Sequence, residues 1–177
     1  MTAHRPSLLI AITLALAAAL RLAAYDGSGP RIEVNYFEPA HFTDVRDSYP
    51  EGTDQGRDYT LAELKSYLAK QALRFVPAGQ KLTITITDVD LAGDFEPWHG
   101  PQWTDVRVVK DLYPPAITLN FLLVDAQGNI VKTGKRELRD LGFLMKITMG
   151  FRDDPLRHEK ALLDDWLGAE FRATKGR

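Results

Sequence analysis

An apolar segment at the N-terminus decides which part of this chain can belong to a folded domain. A basic start at residues 4–5 precedes an uncharged run rich in Ala, Leu and Ile at residues 7–20, and two alanines follow at 23–24. This arrangement is typical of a secretory signal peptide. The run ends at Arg21 and is shorter than the roughly 20 residues that a membrane-spanning helix needs. We predict that residues 1–24 are a cleaved leader.

The absence of cysteine restricts how an exported domain of this size is held together. The 177 residues contain no Cys, which excludes disulfide bonds, zinc–thiolate sites, thiolate catalysis and lipid attachment to an N-terminal cysteine. The chain after the leader is long enough for one domain with a sizeable core. We predict a linker at residues 25–31 and a single globular domain at 32–174, stabilised by packing alone.

The charge of the chain excludes two classes of partner. The net charge is −2, and it becomes −4 without the leader, which contains two arginines and no acidic residue. Nucleic acids and anionic lipids bind clustered positive charge, so neither is expected as a partner. We expect a periplasmic or secreted protein with no membrane span after leader removal. A leader retained as a membrane anchor is the alternative.

The first of two predicted helices follows a polar loop at residues 41–59. Thr60 and Glu63 have the spacing of a capping box, in which each side chain bonds the backbone amide of the other. Apolar residues then recur at helical spacing between residues 61 and 75, and Pro77 ends the pattern. The sequence therefore predicts an amphipathic helix that begins at Thr60.

The second predicted helix begins at Asp153-Asp154-Pro155, with a carboxylate cap and proline in the first helical position. Its expected core residues are Leu156, Leu163, Trp166, Leu167 and Phe171. Its expected exposed residues are Arg157, His158, Glu159, Lys160, Asp164 and Asp165.

Strands are predicted where apolar and polar residues alternate. The predicted strands are residues 32–36, 82–87, a short one within 105–110, a central one at 117–124 covered on both faces, and a lysine-rich edge strand at 130–138. A hairpin loop at 125–129 joins the last two, with Gly128 in a left-handed conformation. The predicted fold class is α+β, a two-layer sandwich. In this sandwich, one layer is an antiparallel sheet of about four or five strands, and the other layer is two amphipathic helices.

Four acidic residues follow the strand at 82–87, namely Asp88, Asp90, Asp94 and Glu96. Four carboxylates near a strand end are candidate ligands for calcium or magnesium. The spacing departs from the calcium-loop pattern, and Val89 and Leu91 between the acids have the character of core residues. The sequence therefore favours a turn with local Asx hydrogen bonds, with metal binding as the alternative.

A loop rich in Gly, Pro and aromatic residues spans residues 92–104. Its candidate binding residues are Phe95, Trp98, His99 and Trp103. Exposed aromatic side chains on such a loop are common anchors for a partner protein, a peptide or a glycan. The alternative is that these rings fold back over an open edge of the core.

No spacing in the chain is typical of a known catalytic centre or of a cofactor site. The histidines lack H-x-x-x-H or H-E-x-x-H spacing, and no serine lies in a nucleophile elbow. We predict no cofactor and favour a non-enzymatic binding or envelope-assembly module. The alternatives are a metal-assisted hydrolase that uses Asp88, Asp90, Asp94 and His99, and a purely structural envelope protein.

Two long motifs carry a resemblance to a known family. Residues 88–98 and 154–166, together with 34–44 and 105–109, make the chain resemble a bacterial family of small exported proteins classed as a domain of unknown function. The resemblance covers nearly all of residues 32–172. It implies an envelope or secreted location, and it brings no activity, cofactor or catalytic residue to this sequence.

Overall fold

The computed structural model describes residues 29–45, 54–104, 106–146 and 153–172. The predicted leader and most of the predicted linker lie outside the described residues. Among the residues described, no helix is both long and apolar enough to cross a bilayer.

The described elements form an α+β fold, which confirms the predicted class. The helices are α1 (Asp54–Ala72) and α2 (Arg157–Phe171). The strands are β1 (Ile32–Tyr36), β2 (Lys81–Asp90), β3 (Asp94–Phe95), β4 (Arg107–Val108), β5 (Ala116–Val124) and β6 (Ile130–Arg139). The main sheet has the order β1-β2-β5-β6, and β3 pairs with β4 in a small second sheet.

The main sheet is mixed, whereas the sequence predicted an antiparallel one. β1 runs parallel to β2, with Ile32 opposite Leu82, and the other two pairings are antiparallel. A parallel pair needs a crossover connection, and α1 lies in the connection between β1 and β2. The predicted hairpin is confirmed, with Gly128 at a φ of +83°. The edge position of β6 is confirmed as well.

Only one face of the sheet carries the core. In β5, Ile117, Leu119, Phe121 and Leu123 are buried, whereas Asn120 on the opposite face is exposed. The prediction that this strand is covered on both faces was therefore wrong. Among the described residues, both helices contribute to the buried cluster on the core face.

A bulge in β2 sets which side chains of that strand face the core. Ile86 lies opposite Leu119, and the register then shifts so that Val89 lies opposite Ile117. Strict alternation from Ile86 would have turned Asp88 toward the core; the shift places Val89 there instead, fully buried. The predicted core positions of Val89 and Leu91 are confirmed.

Helix α1 begins six residues earlier than predicted. It starts at Asp54, so Thr60 is a buried residue inside the helix and not its N-cap. The residues added to the helix contain no proline, and Gly56 among them weakens a helix without ending it. The predicted apolar stripe is confirmed, because Leu61, Leu64, Leu68 and Ala72 are buried.

Helix α2 begins at Arg157, later than predicted, and Pro155 lies in the turn before it. Asp154 holds that turn: its Oδ1 accepts a hydrogen bond from the Leu156 amide at 2.8 Å. Its Oδ2 accepts one from Lys160 Nζ at 2.6 Å. The predicted core residues Leu156, Leu163, Trp166 and Leu167 are buried, and Phe171 is half-buried.

The prediction that residues 158–160 are exposed was wrong, since His158, Glu159 and Lys160 are all buried. The rings of His158 and Phe143 form a T-shaped contact, with the ring centres 4.7 Å apart. Glu159 Oε1 accepts a hydrogen bond from the Ala92 amide at 2.7 Å. The first turn of α2 therefore faces other loops, which periodicity within the helix cannot reveal.

Candidate functional site

The predicted binding loop at residues 92–104 is not a loop throughout, because it contains β3, and its second half consists of two single-turn 3-10 helices, Pro97–His99 and Pro101–Trp103. Gly100 joins them at a φ of +121°, a conformation that L side chains rarely adopt. The side chain of Trp98 is 68% exposed and that of Trp103 is 41% exposed. The His99 ring lies between the two indoles, with ring centres 6.1 Å and 6.4 Å away. The loop thus presents three neighbouring aromatic rings.

A buried carboxylate holds this loop in place. Glu96 is only 3% exposed and accepts hydrogen bonds from Lys110 Nζ at 2.8 Å and 2.6 Å and from the Tyr113 hydroxyl at 3.1 Å. His99 Nε2 lies 2.9 Å from Glu96 Oε2. The hydrogen bond from Lys110 is the main reason why the pKa of Glu96 is lowered. An ionised Glu96 therefore connects the loop to the segment that follows β4.

Phe95 differs from the other aromatic residues of the predicted site. It is buried, and the guanidinium of Arg107 lies over its ring, 4.7 Å from the centre. Arg107 Nη1 also donates to the Gly93 carbonyl at 2.8 Å. Phe95 therefore lies beneath the loop and is not exposed beside Trp98 and Trp103. A ligand can contact its ring only from a neighbouring cleft, whose wall Phe95 lines.

The four predicted acids do not act together. Asp88 and Asp90 lie inside β2, and Asp88 accepts hydrogen bonds from the amide and the hydroxyl of Thr43, both at 2.7 Å. The predicted local Asx turn is therefore wrong at Asp88, whose partner is distant in the sequence. Asp94 bonds the amide of Phe95 at 2.7 Å. Within the described ranges, no group of three His, Asp or Glu side chains is arranged to hold a metal ion.

A cleft of about 630 Å³ lies beside the aromatic loop. Its walls combine charged residues (Asp44, Arg57, Asp90, Asp94, Arg139) with apolar and aromatic ones (Phe42, Val45, Leu91, Phe95, Leu112, Tyr113, Pro114). Asp44 forms an ion pair with Arg107 at 2.8 Å. Burial, together with the nearby Asp44 carboxylate, raises the pKa of Asp90. Volumes of this order are typical of small-molecule sites.

Sequence reasoning found the aromatic loop but missed the cleft. An isolated bridge pairs Asp44 with Asp90, which both line the cleft, and these residues are far apart in the chain. The sequence indicates Asp90 as part of an acidic turn or, alternatively, a metal site, and no predicted site includes Asp44 or Arg139. No local pattern marks Asp44, because its position beside β2 follows from the pairing and not from its neighbours.

The comparisons with known proteins identify the family. No curated protein matches the chain. A family model described as "Protein of unknown function (DUF3016)" matches residues 30–169, which include every described element except the last residues of α2. The chain therefore belongs to the DUF3016 family.

Proposed function

We propose that this protein is an exported binding module that captures a protein, peptide or glycan partner with its Trp98–Trp103 loop. The observation that carries the proposal is the exposure of the two indoles. A buried tryptophan of the same domain gives the contrast, because Trp166 is 5% exposed whereas Trp98 is 68% exposed. Indole rings offer a large apolar area and one hydrogen-bond donor each, which suits a partner surface.

The support for the loop makes it a suitable anchor. Pro97 and Pro101 restrict the backbone, and Glu96 binds both His99 inside the loop and Lys110 beyond it. A loop whose backbone is already held in place loses little conformational entropy on binding. Rigid support of this kind favours the anchor interpretation over rings that merely cover the core.

Export is the second part of the proposal. It rests on the leader-like residues 1–24 and the family resemblance. Mass spectrometry of the protein recovered from the periplasm is expected to show a chain that begins between residues 20 and 28. An intact Met1 in the membrane fraction would mean that the leader is retained as an anchor.

The hydrolase alternative has no observation in its favour. It requires Asp88, Asp90, Asp94 and His99 to act on one metal ion. Asp88 is bonded to Thr43, Asp94 to a backbone amide, and His99 to Glu96. The crosslinking experiment below distinguishes a binding module from a purely structural envelope protein.

A photo-crosslinking amino acid placed at position 98 or at position 59 in living cells tests the loop. Tyr59 is 64% exposed on α1 and provides the control site. Adducts from position 98 that are absent from position 59, and that disappear with Trp103→Ala, are the expected result. Adducts of protein size indicate a protein or peptide partner. Co-sedimentation with purified peptidoglycan that Trp98→Ala/Trp103→Ala abolishes indicates a glycan.

Equal labelling from both positions, or none from either together with no sedimentation, would contradict the binding function. A structural envelope protein would then be the better interpretation. Tyr59→Ala is the matched variant in the sedimentation assay, because it removes an exposed aromatic side chain elsewhere.

A further inference from the structure

Two charged side chains of the cleft differ from the others in having no direct partner. Asp44 pairs with Arg107, Arg57 with Asp58, and Asp94 bonds a backbone amide. In the part of the chain that the structure describes, no hydrogen bond or ion pair is formed by the side chains of Asp90 and Arg139. The cleft therefore contains one negative and one positive group that are available to a ligand.

These two residues lie in one row across the sheet. Asp90 and Arg139 are both register partners of Ala116, one on each side of β5. Adjacent strands lie about 4.8 Å apart, so the two backbones are separated by about 10 Å. Their side chains therefore begin on the two sides of the strand between them, and the long side chain of Arg139 is able to reduce the distance between the two charges.

The surroundings of Asp90 favour a cation. Its carboxylate is half-buried and close to that of Asp44, which is the second cause of its raised pKa after burial. Arg107 is already paired with Asp44, and Arg139 acts on Asp90 without contacting it. A ligand ammonium group at Asp90 would offset both the burial and the repulsion.

One part of the cleft wall is apolar. Leu112, Tyr113 and Pro114 line it next to Phe95. Leu112 is 71% exposed, so covering it would remove apolar surface from water. The hydroxyl of Tyr113 is bonded to Glu96, which fixes the position of this ring.

We propose that the cleft is a binding site for a zwitterionic α-amino acid with an apolar side chain. The ligand ammonium group binds Asp90, its carboxylate binds Arg139, and its side chain packs against Leu112 and Tyr113. This site is separate from the Trp98–Trp103 loop and does not depend on the function proposed for that loop.

Calorimetric titration of the purified protein with L-phenylalanine tests the proposal. N-acetyl-L-phenylalanine lacks the ammonium charge, and L-phenylalanine amide lacks the carboxylate. Each is expected to bind about tenfold or more weakly than the parent amino acid, because hydrogen bonds to charged groups are worth about 1.5–3 kcal/mol.

Two variants assign the charges to the residues. Asp90→Asn is expected to weaken binding of L-phenylalanine about tenfold but to leave the acetylated compound unaffected. Arg139→Gln is expected to show the mirror result, with loss for L-phenylalanine and no change for the amide. Lys135→Gln, which removes a positive charge from the same strand outside the cleft, is the control. Trp98→Ala/Trp103→Ala is expected to bind L-phenylalanine as the wild type does.

Several results would overturn the proposal. One is the absence of binding at millimolar L-phenylalanine. Another is equal affinity for all three compounds, and a third is equal affinity in the Asp90→Asn protein. Urea unfolding of each variant checks that the domain is intact. Loss of binding only in the tryptophan double variant would assign the ligand to the aromatic loop and likewise overturn the cleft site.

Discussion

The first turn of α2 and the aromatic loop reverse the usual distribution of residue types. Glu159 and Lys160 are charged and buried, whereas Trp98 and Trp103 are aromatic and exposed. The buried ionisable groups are held by named contacts: Glu159 Oε1 accepts a hydrogen bond from the Ala92 amide, although its Oε2 has no partner among the described residues, and Lys160 bonds Asp154. The exposed indoles are the outer part of a loop that is fixed from beneath. The contrast teaches that the supporting contacts, and not the residue type, decide which side chain is available.

Helix α2 and strand β4 both bond the segment of chain that precedes the aromatic loop. Glu159 bonds Ala92, and Arg107 bonds the Gly93 carbonyl next to it. A Cβ added to Gly93 would lie 2.8 Å from the Val108 carbonyl oxygen, so this segment packs tightly against β4. Helix α2 therefore supports the start of the loop and the neighbouring cleft, although no residue of α2 lines the cleft.

The largest expected effect separates the buried from the exposed tryptophans. Trp166→Ala is expected to lower the free energy of unfolding by about 3–5 kcal/mol, because Trp166 packs edge-on against Phe121 in the core. Trp98→Ala is expected to change it by less than about 0.5 kcal/mol, as exposed substitutions do. Urea denaturation measures both. A loss of several kcal/mol for Trp98→Ala would mean that this ring belongs to the core.

A second prediction concerns the backbone of the loop. Gly100→Ala is expected to cost about 1–3 kcal/mol, because the residue must hold a φ of +121°. Gly142→Ala is the matched control, because an added Cβ there meets only an Asp140 oxygen at 3.7 Å. Thermal or chemical denaturation compares the two variants. If both proved equally stable, the loop would tolerate another backbone path and the indoles would not be held rigidly.

A third prediction uses pH to examine the buried acid. Burial raises the pKa of Glu159 above its value in the unfolded chain. Its contribution to stability is therefore fully present below the unfolded pKa and is lost as the pH rises through the folded pKa. Glu159→Gln is expected to remove this loss. The free energy of unfolding of the variant, relative to that of the wild type, is therefore expected to increase from pH 4 to pH 8.

The neighbours of Glu159 define the control for that experiment. Arg107, Asp154 and the Ala92 amide face it, and burial lowers the pKa of the adjacent His158. The His158 contribution has the opposite sign, since it is present at high pH and lost as the pH falls. His158→Gln with and without Glu159→Gln therefore separates the two. A constant difference between wild type and Glu159→Gln at every pH would show that Glu159 is solvated.

The smallest expected effect concerns the start of α1. Because Thr60 lies inside the helix, the loss of about 1 kcal/mol that follows removal of an N-cap oxygen does not apply. Thr60→Ala is expected to change the unfolding midpoint little, since alanine's higher helix propensity offsets the lost methyl group. A clear decrease would indicate that the helix starts at Thr60 in solution.

Local patterns were enough to predict most of the elements. The alternation at residues 32–36 and 82–87, the apolar stripe of α1 and the hairpin around Gly128 each depend on residues a few positions apart. The exposed position of β6 at the sheet edge also followed from its lysines. In each case the signal and the structure it predicts lie in the same short segment, so no knowledge of distant contacts was needed.

Only the tertiary structure decided what surrounds those elements. It buried residues 158–160 against loops, kept Asp88 out of a local turn by pairing it with Thr43, and placed Asp44 beside Asp90. Burial and charge pairing depend on residues that are distant in the sequence, whereas periodicity reports only a residue's own segment. The sequence by itself therefore determined the elements and the aromatic loop, and the packing of distant segments determined the cleft.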